Sequence, residues 1–145
     1  MRRSFAGIAA VIFSLALSSY QVPASRRPAL KERRFAVDLV RAINTAEMAY
    51  KAQSRGSFEE WPQLATTEGF TTAIDHFSHM DPELKKLSRT PFPDTIDGWR
   101  LSLLLSPGKD AYVVVLASTS DECSYAVVSS QDGLIRQATA IGCTD

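Results

Sequence analysis

Helical periodicity is strongest between Pro28 and Ser54. The apolar residues there recur at spacings of three and four and share one face: Phe35, Leu39, Ala42, Ala46, Ala49 and Tyr50. Charged and polar residues fall off that face, and Gly56 follows as a helix breaker. The pattern therefore predicts a helix from about residue 28 to about residue 54, on the order of 40 Å long, with one face buried.

The last third of the chain changes from helical to strand periodicity. Four short runs alternate or are rich in β-branched residues, with turn-forming residues between them: Trp99–Leu105, Ala111–Leu116, Ser124–Val128 and Leu134–Gln137. One face of the resulting sheet needs a cover, and only the N-terminal helix is long enough to provide it. We therefore predict an α+β fold, with a long helix packed across a roughly four-stranded antiparallel meander over about residues 98 to 143.

The segment from residue 57 to residue 95 connects the predicted helix to the predicted sheet. One short helix is predicted through Trp61 to Leu64, and a second one is opened by Asp81-Pro82-Glu83 and runs toward Leu87. A proline-containing stretch then leads to the sheet as an extended linker. We interpret residues 57–95 as the connection between the helix and the sheet.

The first 24 residues have the layout of a secretory signal peptide. Arg2 and Arg3 precede an uncharged, mainly apolar run of 13 residues from Phe5 to Leu17, and small residues around Ala24 offer a cleavage site. A membrane span needs about 20 residues, so the run is short for an anchor. We predict cleavage after Ala24 and export of a single domain, residues 25–145. A retained anchor is the alternative, and the twin-arginine route stays open.

The charge balance of the chain is neutral, with 16 basic and 16 acidic residues among 145. Removal of residues 1–24 takes away Arg2 and Arg3 and leaves 14 basic against 16 acidic residues, a net charge of −2. The paired basic residues Arg26-Arg27 and Lys85-Lys86 are too few for a nucleic-acid footprint. The sequence therefore predicts one domain and no nucleic-acid partner.

The sequence contains two cysteines, Cys123 and Cys143, separated by 19 residues. An oxidising compartment favours a disulfide, so the predicted export implies that the two are paired. In the chain-entropy model, closing such a loop stabilises a fold by roughly 3 kcal/mol. Two free thiols are the alternative, and a metal site is disfavoured because no histidine lies near either cysteine in the sequence.

Several short motifs, taken in order, resemble type IV pilins and pseudopilins. Residues 41–47 read RAINTAE, Tyr50 follows, and Gly56-Ser57-Phe58 ends the segment, which is similar to the stretch that closes the long spine helix of those proteins. Asp97-Gly98-Trp99-Arg100 and the DGLIR of residues 132–136 are similar to the strands and turns of pilin heads.

The resemblance covers roughly residues 33–143 and implies a helix-and-sheet head that binds other proteins. In pilins, the connection between helix and sheet is a variable recognition surface, and here that connection is residues 57–95. Cys123 and Cys143 fall where pilins often carry the disulfide that encloses a second variable loop.

The N-terminus departs from the pilin pattern. Pilins begin with a short basic leader, a glycine cut site followed by Phe-Thr-Leu-Ile-Glu, and an unbroken apolar helix. Here charged residues follow the signal segment: Arg26, Arg27, Lys31, Glu32, Arg33 and Arg34. Such charges would suffer a large desolvation cost in a filament core, so filament assembly is not carried over.

Both histidines of the chain lie in one polar stretch, residues 75–81. His76 and His79 are three residues apart, which on a helix would place them on one face, and Asp75 or Asp81 could complete a metal site. The spacing matches no established ligand motif, and the sequence has no Gly-x-Ser-x-Gly or phosphate-binding glycine loop. We predict solvated loop histidines, no catalytic residue, no cofactor and no metal, with His76 and His79 as weak metal candidates.

Two other groups of residues have a simple structural interpretation. The large aromatic residues fit core or sheet packing better than an exposed binding patch: Trp61, Trp99, Tyr112 and Tyr125. Glu47 is placed to form a cap or to pair with Lys51, four residues further along the helix, and such a pair would stabilise the helix by a few tenths of a kcal/mol.

The sequence favours a non-enzymatic, pilin-like structural or interaction protein in the periplasm or at the cell surface. Its expected partners are other proteins, including components of a type IV pilus or a type II secretion-like system. One alternative is a small exported metal-binding or hydrolytic module around His76 and His79. Another is a pilin-like protein held in the membrane by an uncleaved signal segment.

Overall fold

The structure, a computed structural model, describes residues 28–87, 95–120 and 125–139. Over these residues four helices precede five strands, and all strand pairs are antiparallel. The predicted α+β class, with an antiparallel sheet and a helix, is confirmed. The predicted signal peptide and its cleavage site, Cys123 and Cys143 lie outside the described residues.

The first helix, α1, spans Leu30–Gln53 and lies at the centre of the fold. Glu32 accepts a hydrogen bond from the backbone N–H of Ala29 at 2.7 Å and so satisfies one donor at the helix start. Ten of its 24 residues are buried, more than a single apolar stripe would supply. The burial is this wide because α1 contacts the sheet on one side and a second helix on another.

The C-terminus of α1 closes through two residues with positive φ. Arg55 has φ 61° and Gly56 has φ 101°, and the backbone N–H of Gly56 reaches the carbonyl of Lys51 at 3.1 Å. This bond across six residues is that of a Schellman motif, in which the left-handed position usually holds glycine. The break predicted at Gly56 therefore begins one residue earlier, at Arg55.

Three shorter helices follow, α2 (Trp61–Leu64), α3 (Glu68–Ser78) and α4 (Pro82–Leu87). The second and fourth helices occupy predicted positions, and the Asp81 carboxylate accepts from the N–H of Glu83 at 3.0 Å, as expected of a cap. The prediction of a loop for residues 75–81 was wrong, because α3 extends through Ser78. It is capped by Thr67, whose hydroxyl accepts from the N–H of Phe70 at 3.1 Å.

Helix α3 packs closely along α1. Gly69 makes this approach possible, since a Cβ atom there would lie 3.3 Å from the Cβ of Ala49. Ala73 and Ile74 are buried on the same side of α3. The short side chains on both helices therefore set the distance between them.

The sheet is a meander in chain order. Its strands are β1 (Thr95–Ile96), β2 (Trp99–Leu105), β3 (Tyr112–Ser118), β4 (Ala126–Ser130) and β5 (Arg136–Ala138). The short strand β1 was not predicted. It forms a hairpin with β2 through a two-residue loop, Asp97-Gly98, in which φ of Gly98 is 79°. Strand β5 starts two residues later than predicted, because the N–H of Leu134 bonds to Asp132 and its carbonyl bonds to Ser129.

The core lies between α1 and the inner face of the sheet, and it extends between α1 and α3. The aromatic residues predicted to pack inside do so, since each is at most 6% exposed: Trp61, Trp99, Tyr112 and Tyr125. Two edge-to-face pairs strengthen this packing, Phe58 with Tyr112 at 4.7 Å and Trp61 with Phe70 at 5.3 Å between ring centres.

A chain of buried hydrogen bonds fastens α1 to the sheet. The Tyr112 hydroxyl donates to Asn44 Oδ1 at 2.9 Å, and Asn44 Nδ2 donates to the Ser129 hydroxyl at 2.9 Å. Ser129 donates onward to the carbonyl of Leu134 at 3.0 Å. Every group in the chain is paired, so the buried polar atoms specify one position of α1 on the sheet.

Replacing Asn44 tests this chain. We expect Asn44→Ala to lower the free energy of unfolding by about 2–4 kcal/mol, because it opens a cavity and leaves the Tyr112 hydroxyl unpaired inside the core. Urea unfolding measures the change, with Thr45→Ala on the exposed neighbouring position as control, expected to change it by under about 1 kcal/mol. Equal effects of the two variants would contradict the assignment.

Candidate functional site

The outward face of α1 forms the floor of a groove. Two cavities, of about 470 Å³ and about 370 Å³, follow one another along the helix and share Arg41 as a lining residue. Helix α3 and the turn after it form one wall, and the β4–β5 loop with β5 forms the other. We call this feature the α1 groove; its principal residues are Leu30, Arg34, Val37, Arg41 and Thr45 on the floor, and Phe77, Met80, Leu134, Ile135 and Gln137 on the walls.

Helical spacing places the floor residues in one line. Positions 30, 34, 37, 41 and 45 succeed each other at three or four residues and therefore share a face of α1. The faces of α1 on either side of this line contact the sheet and α3. From Leu30 to Thr45 the floor runs on the order of 22 Å at about 1.5 Å per residue.

Large apolar side chains on the groove are exposed to solvent. Leu30 is 71% exposed, Met80 61% and Leu134 59%. They come from three different elements, and the fold brings them to the same groove. Exposed apolar side chains gathered around a concave surface are typical of a binding site.

The groove also carries positive charge. Three arginines line it, Arg33, Arg34 and Arg41, against one carboxylate, Asp38, which gives a net charge of two positive. Arg41 is fixed by Asp38, with 2.7 Å between Nη1 and Oδ1, and half of its side chain is exposed. Arg33 donates from Nε to the carbonyl of Pro28 at 3.1 Å and lies 5.1 Å from the ring centre of Tyr125.

The two histidines do not share a site. His76 lies in the last turn of α3 and lines another cavity of about 740 Å³, which shares Thr45 and Phe77 with the groove. His79 is the C-cap of α3 and does not line that cavity. Among residues 28–87, 95–120 and 125–139, the structure brings no three His, Cys, Asp or Glu side chains together as a metal site.

Glu47 is a buried carboxyl group whose environment the sequence did not reveal. Its side chain is fully buried; Oε2 accepts from the N–H of Glu59 at 3.1 Å, and Oε1 has no hydrogen-bond partner. Burial raises the pKa of Glu47 to about 7. The predicted pairing with Lys51 was wrong, because Glu47 points inward while the Lys51 ammonium lies 4.4 Å from the ring centre of Phe58.

Glu59 links the end of α1 to the β2–β3 turn. Tyr50 donates its hydroxyl hydrogen to Glu59 Oε2 at 2.6 Å, and the Lys109 ammonium lies 3.1 Å from Glu59 Oε1. The Tyr50 hydrogen bond, above all, holds the pKa of Glu59 below its usual range. Glu47 and Glu59 therefore belong to one network that joins α1, residues 57–60 and the turn at Lys109.

Comparisons with protein-family models, with curated proteins and with solved structures found no match to this chain. Within the described part of the chain, each helix is too short or too polar to cross a bilayer.

The buried carboxyl of Glu47 predicts a pH-dependent stability. The pKa of Glu47 is about 7 in the folded protein, compared with 4.5 for an unperturbed glutamate in the unfolded chain. The folded state therefore binds the proton more tightly than the unfolded state does. The free energy of unfolding should therefore decrease as pH rises from about 4.5 to about 7, by on the order of 3 kcal/mol from this group.

Urea unfolding across this pH range measures the effect. Glu47→Gln, which keeps an oxygen for the N–H of Glu59, should remove this part of the slope and be more stable than the natural protein at pH 8. Glu68→Gln, at an exposed acid of α3, is the control and should keep the slope. An unchanged slope in Glu47→Gln would rule out the assignment.

Proposed function

We propose that the chain is an exported, pilin-like protein that acts by binding another protein and not by catalysis. The observation that carries the proposal is the α1 groove, where exposed apolar side chains and arginines from separate elements line one concave surface. Such a combination of apolar anchors and charge suits a protein partner.

The pilin-like part of the proposal rests on two kinds of support. The motifs from residue 41 to residue 58 and from residue 97 to residue 136 occur in the order found in pilins and pseudopilins. The α+β arrangement, with a 24-residue helix against an antiparallel meander, is compatible with a pilin head. The role that fits best is an accessory protein of a type IV pilus or a type II secretion-like system.

Export is proposed from the composition of residues 1–24, and it would place the domain in the periplasm or at the cell surface with Cys123 and Cys143 paired. The mass of the intact protein from a native-like host tests this. We expect a chain that begins at Ser25 and gains two hydrogen masses on reduction. A mass that includes residues 1–24 would indicate an anchored protein, and a mass unchanged by reduction would exclude the disulfide.

A second candidate function is favoured by the cavity beside His76. Its volume of about 740 Å³ would admit a small molecule, and an imidazole in its wall could act as a ligand or a base. We rank a metal-binding or hydrolytic module below protein binding, because the neighbouring candidate His79 does not line the same cavity.

Site-specific photocrosslinking in the native host tests the proposed binding function. A photoreactive residue at Thr45, on the groove floor, should yield discrete adducts with another protein. The same photoreactive residue in place of Val113 is the control, since Val113 is 40% exposed on the face of the sheet that points away from α1. Failure to form adducts at Thr45, or the same adducts at Val113, would refute binding through the groove.

A further inference from the structure

We propose that the α1 groove binds an acidic, amphipathic helix of its partner protein. This inference rests on the proposed function and names the chemistry of the partner. Three properties of the groove support it: its shape, the spacing of its arginines and the placement of its apolar side chains.

The shape of the groove suits a rod. Its floor is on the order of 22 Å long, and walls from α3 and from the β4–β5 loop stand on either side. A helix of about 15 residues spans that length. Helix-in-groove recognition uses this geometry. A protein surface that binds a planar membrane would instead be expected to have side chains that project from it, and not a concave groove.

The arginines of the floor are spaced for a helical partner. Arg34 and Arg41 are seven residues apart, which is two helical turns or about 10.5 Å. Glutamates seven residues apart on a partner helix would face them in register. Arg41 is already oriented by Asp38, so it meets a second carboxylate without losing much side-chain freedom.

Apolar side chains stand at both ends of the arginine pair. Leu30 and Met80 line the cavity that extends from Leu30 to Arg41, and Leu134 lines the cavity that continues from Arg41 to Thr45. A partner helix that alternates acidic and apolar turns would cover them and bury their surface. Met80 adds tolerance, because an unbranched thioether adapts to different partner side chains.

The N-terminal segment of this chain has the wrong charge to occupy the groove. Residues 1–27 contain four arginines and no acidic residue, so they would be repelled by the arginines of the floor. The same reasoning favours an acidic partner over a basic one. Two other occupants, a second copy of this chain and an anionic bilayer, are outcomes of the experiment below.

The binding experiment uses the mature chain and two helical peptides of about 18 residues, with leucines at heptad spacing. One peptide carries glutamates seven residues apart, and the other carries lysines at those positions. Fluorescence anisotropy should show at least about tenfold tighter binding of the glutamate peptide. Raising the salt concentration from about 50 mM to about 500 mM should weaken that binding.

Matched variants locate the binding surface. Arg34→Glu should weaken binding of the glutamate peptide at least about tenfold, whereas Arg100→Glu, the same change on the exposed face of β2, should not. Leu30→Ser should weaken binding, whereas Leu104→Ser should not; Leu104 is 63% exposed on the opposite face of the sheet. Thermal unfolding of each variant verifies that it is folded.

Several outcomes would overturn the inference: no binding of the glutamate peptide, equal binding of both peptides, or equal effects of Arg34→Glu and Arg100→Glu. Binding to phosphatidylglycerol vesicles in place of the peptide would overturn it in favour of a membrane. Sedimentation showing a dimer blocked by Arg34→Glu would overturn it in favour of a second copy. If crosslinks form at Thr45 while the peptide fails, the groove binds a protein of other chemistry, and the proposed function stands.

Discussion

The position of α1 on the sheet depends on the hydrogen bonds of Asn44. The Asn44 side chain, which has both a donor and an acceptor, lies between Tyr112 and Ser129. Both of its hydrogen bonds can form only if α1 keeps its rotation about its own axis and its distance from the sheet. Apolar contacts alone would tolerate small shifts of a helix over a sheet, since they are non-directional. The polar chain removes that freedom, so one rotation of α1 is favoured over its neighbours.

The rotation of α1 decides the environment of every side chain on it. Glu47 is turned inward, where burial favours its neutral form. Arg34 and Arg41 are turned outward and are exposed to water. Core and groove are therefore two faces of a single element, and the orientation that satisfies Asn44 also creates the basic floor.

Local pattern was enough to predict α1, the short helices α2 and α4, and most of the sheet. It missed α3, although Thr67 is a good cap and apolar residues recur at helical spacing after it: Phe70, Ala73, Ile74 and Phe77. The histidines and aspartates of this stretch drew the interpretation toward a polar loop. The groove was beyond sequence reasoning, because Met80 and Leu134 are far apart in the chain and meet only through tertiary packing.

The groove floor belongs to the helix on which the core is built, and this couples occupancy of the groove to folding. A partner bound as proposed, to Leu30 and Arg41, would bind only the folded chain, and it would raise the stability of the whole domain by an amount set by its concentration relative to Kd. At a partner concentration of 100 times Kd, that gain is about 2.7 kcal/mol. Without the proposed partner, a larger fraction of the domain would be unfolded and exposed to proteases, so the abundance of this protein would follow the abundance of that partner.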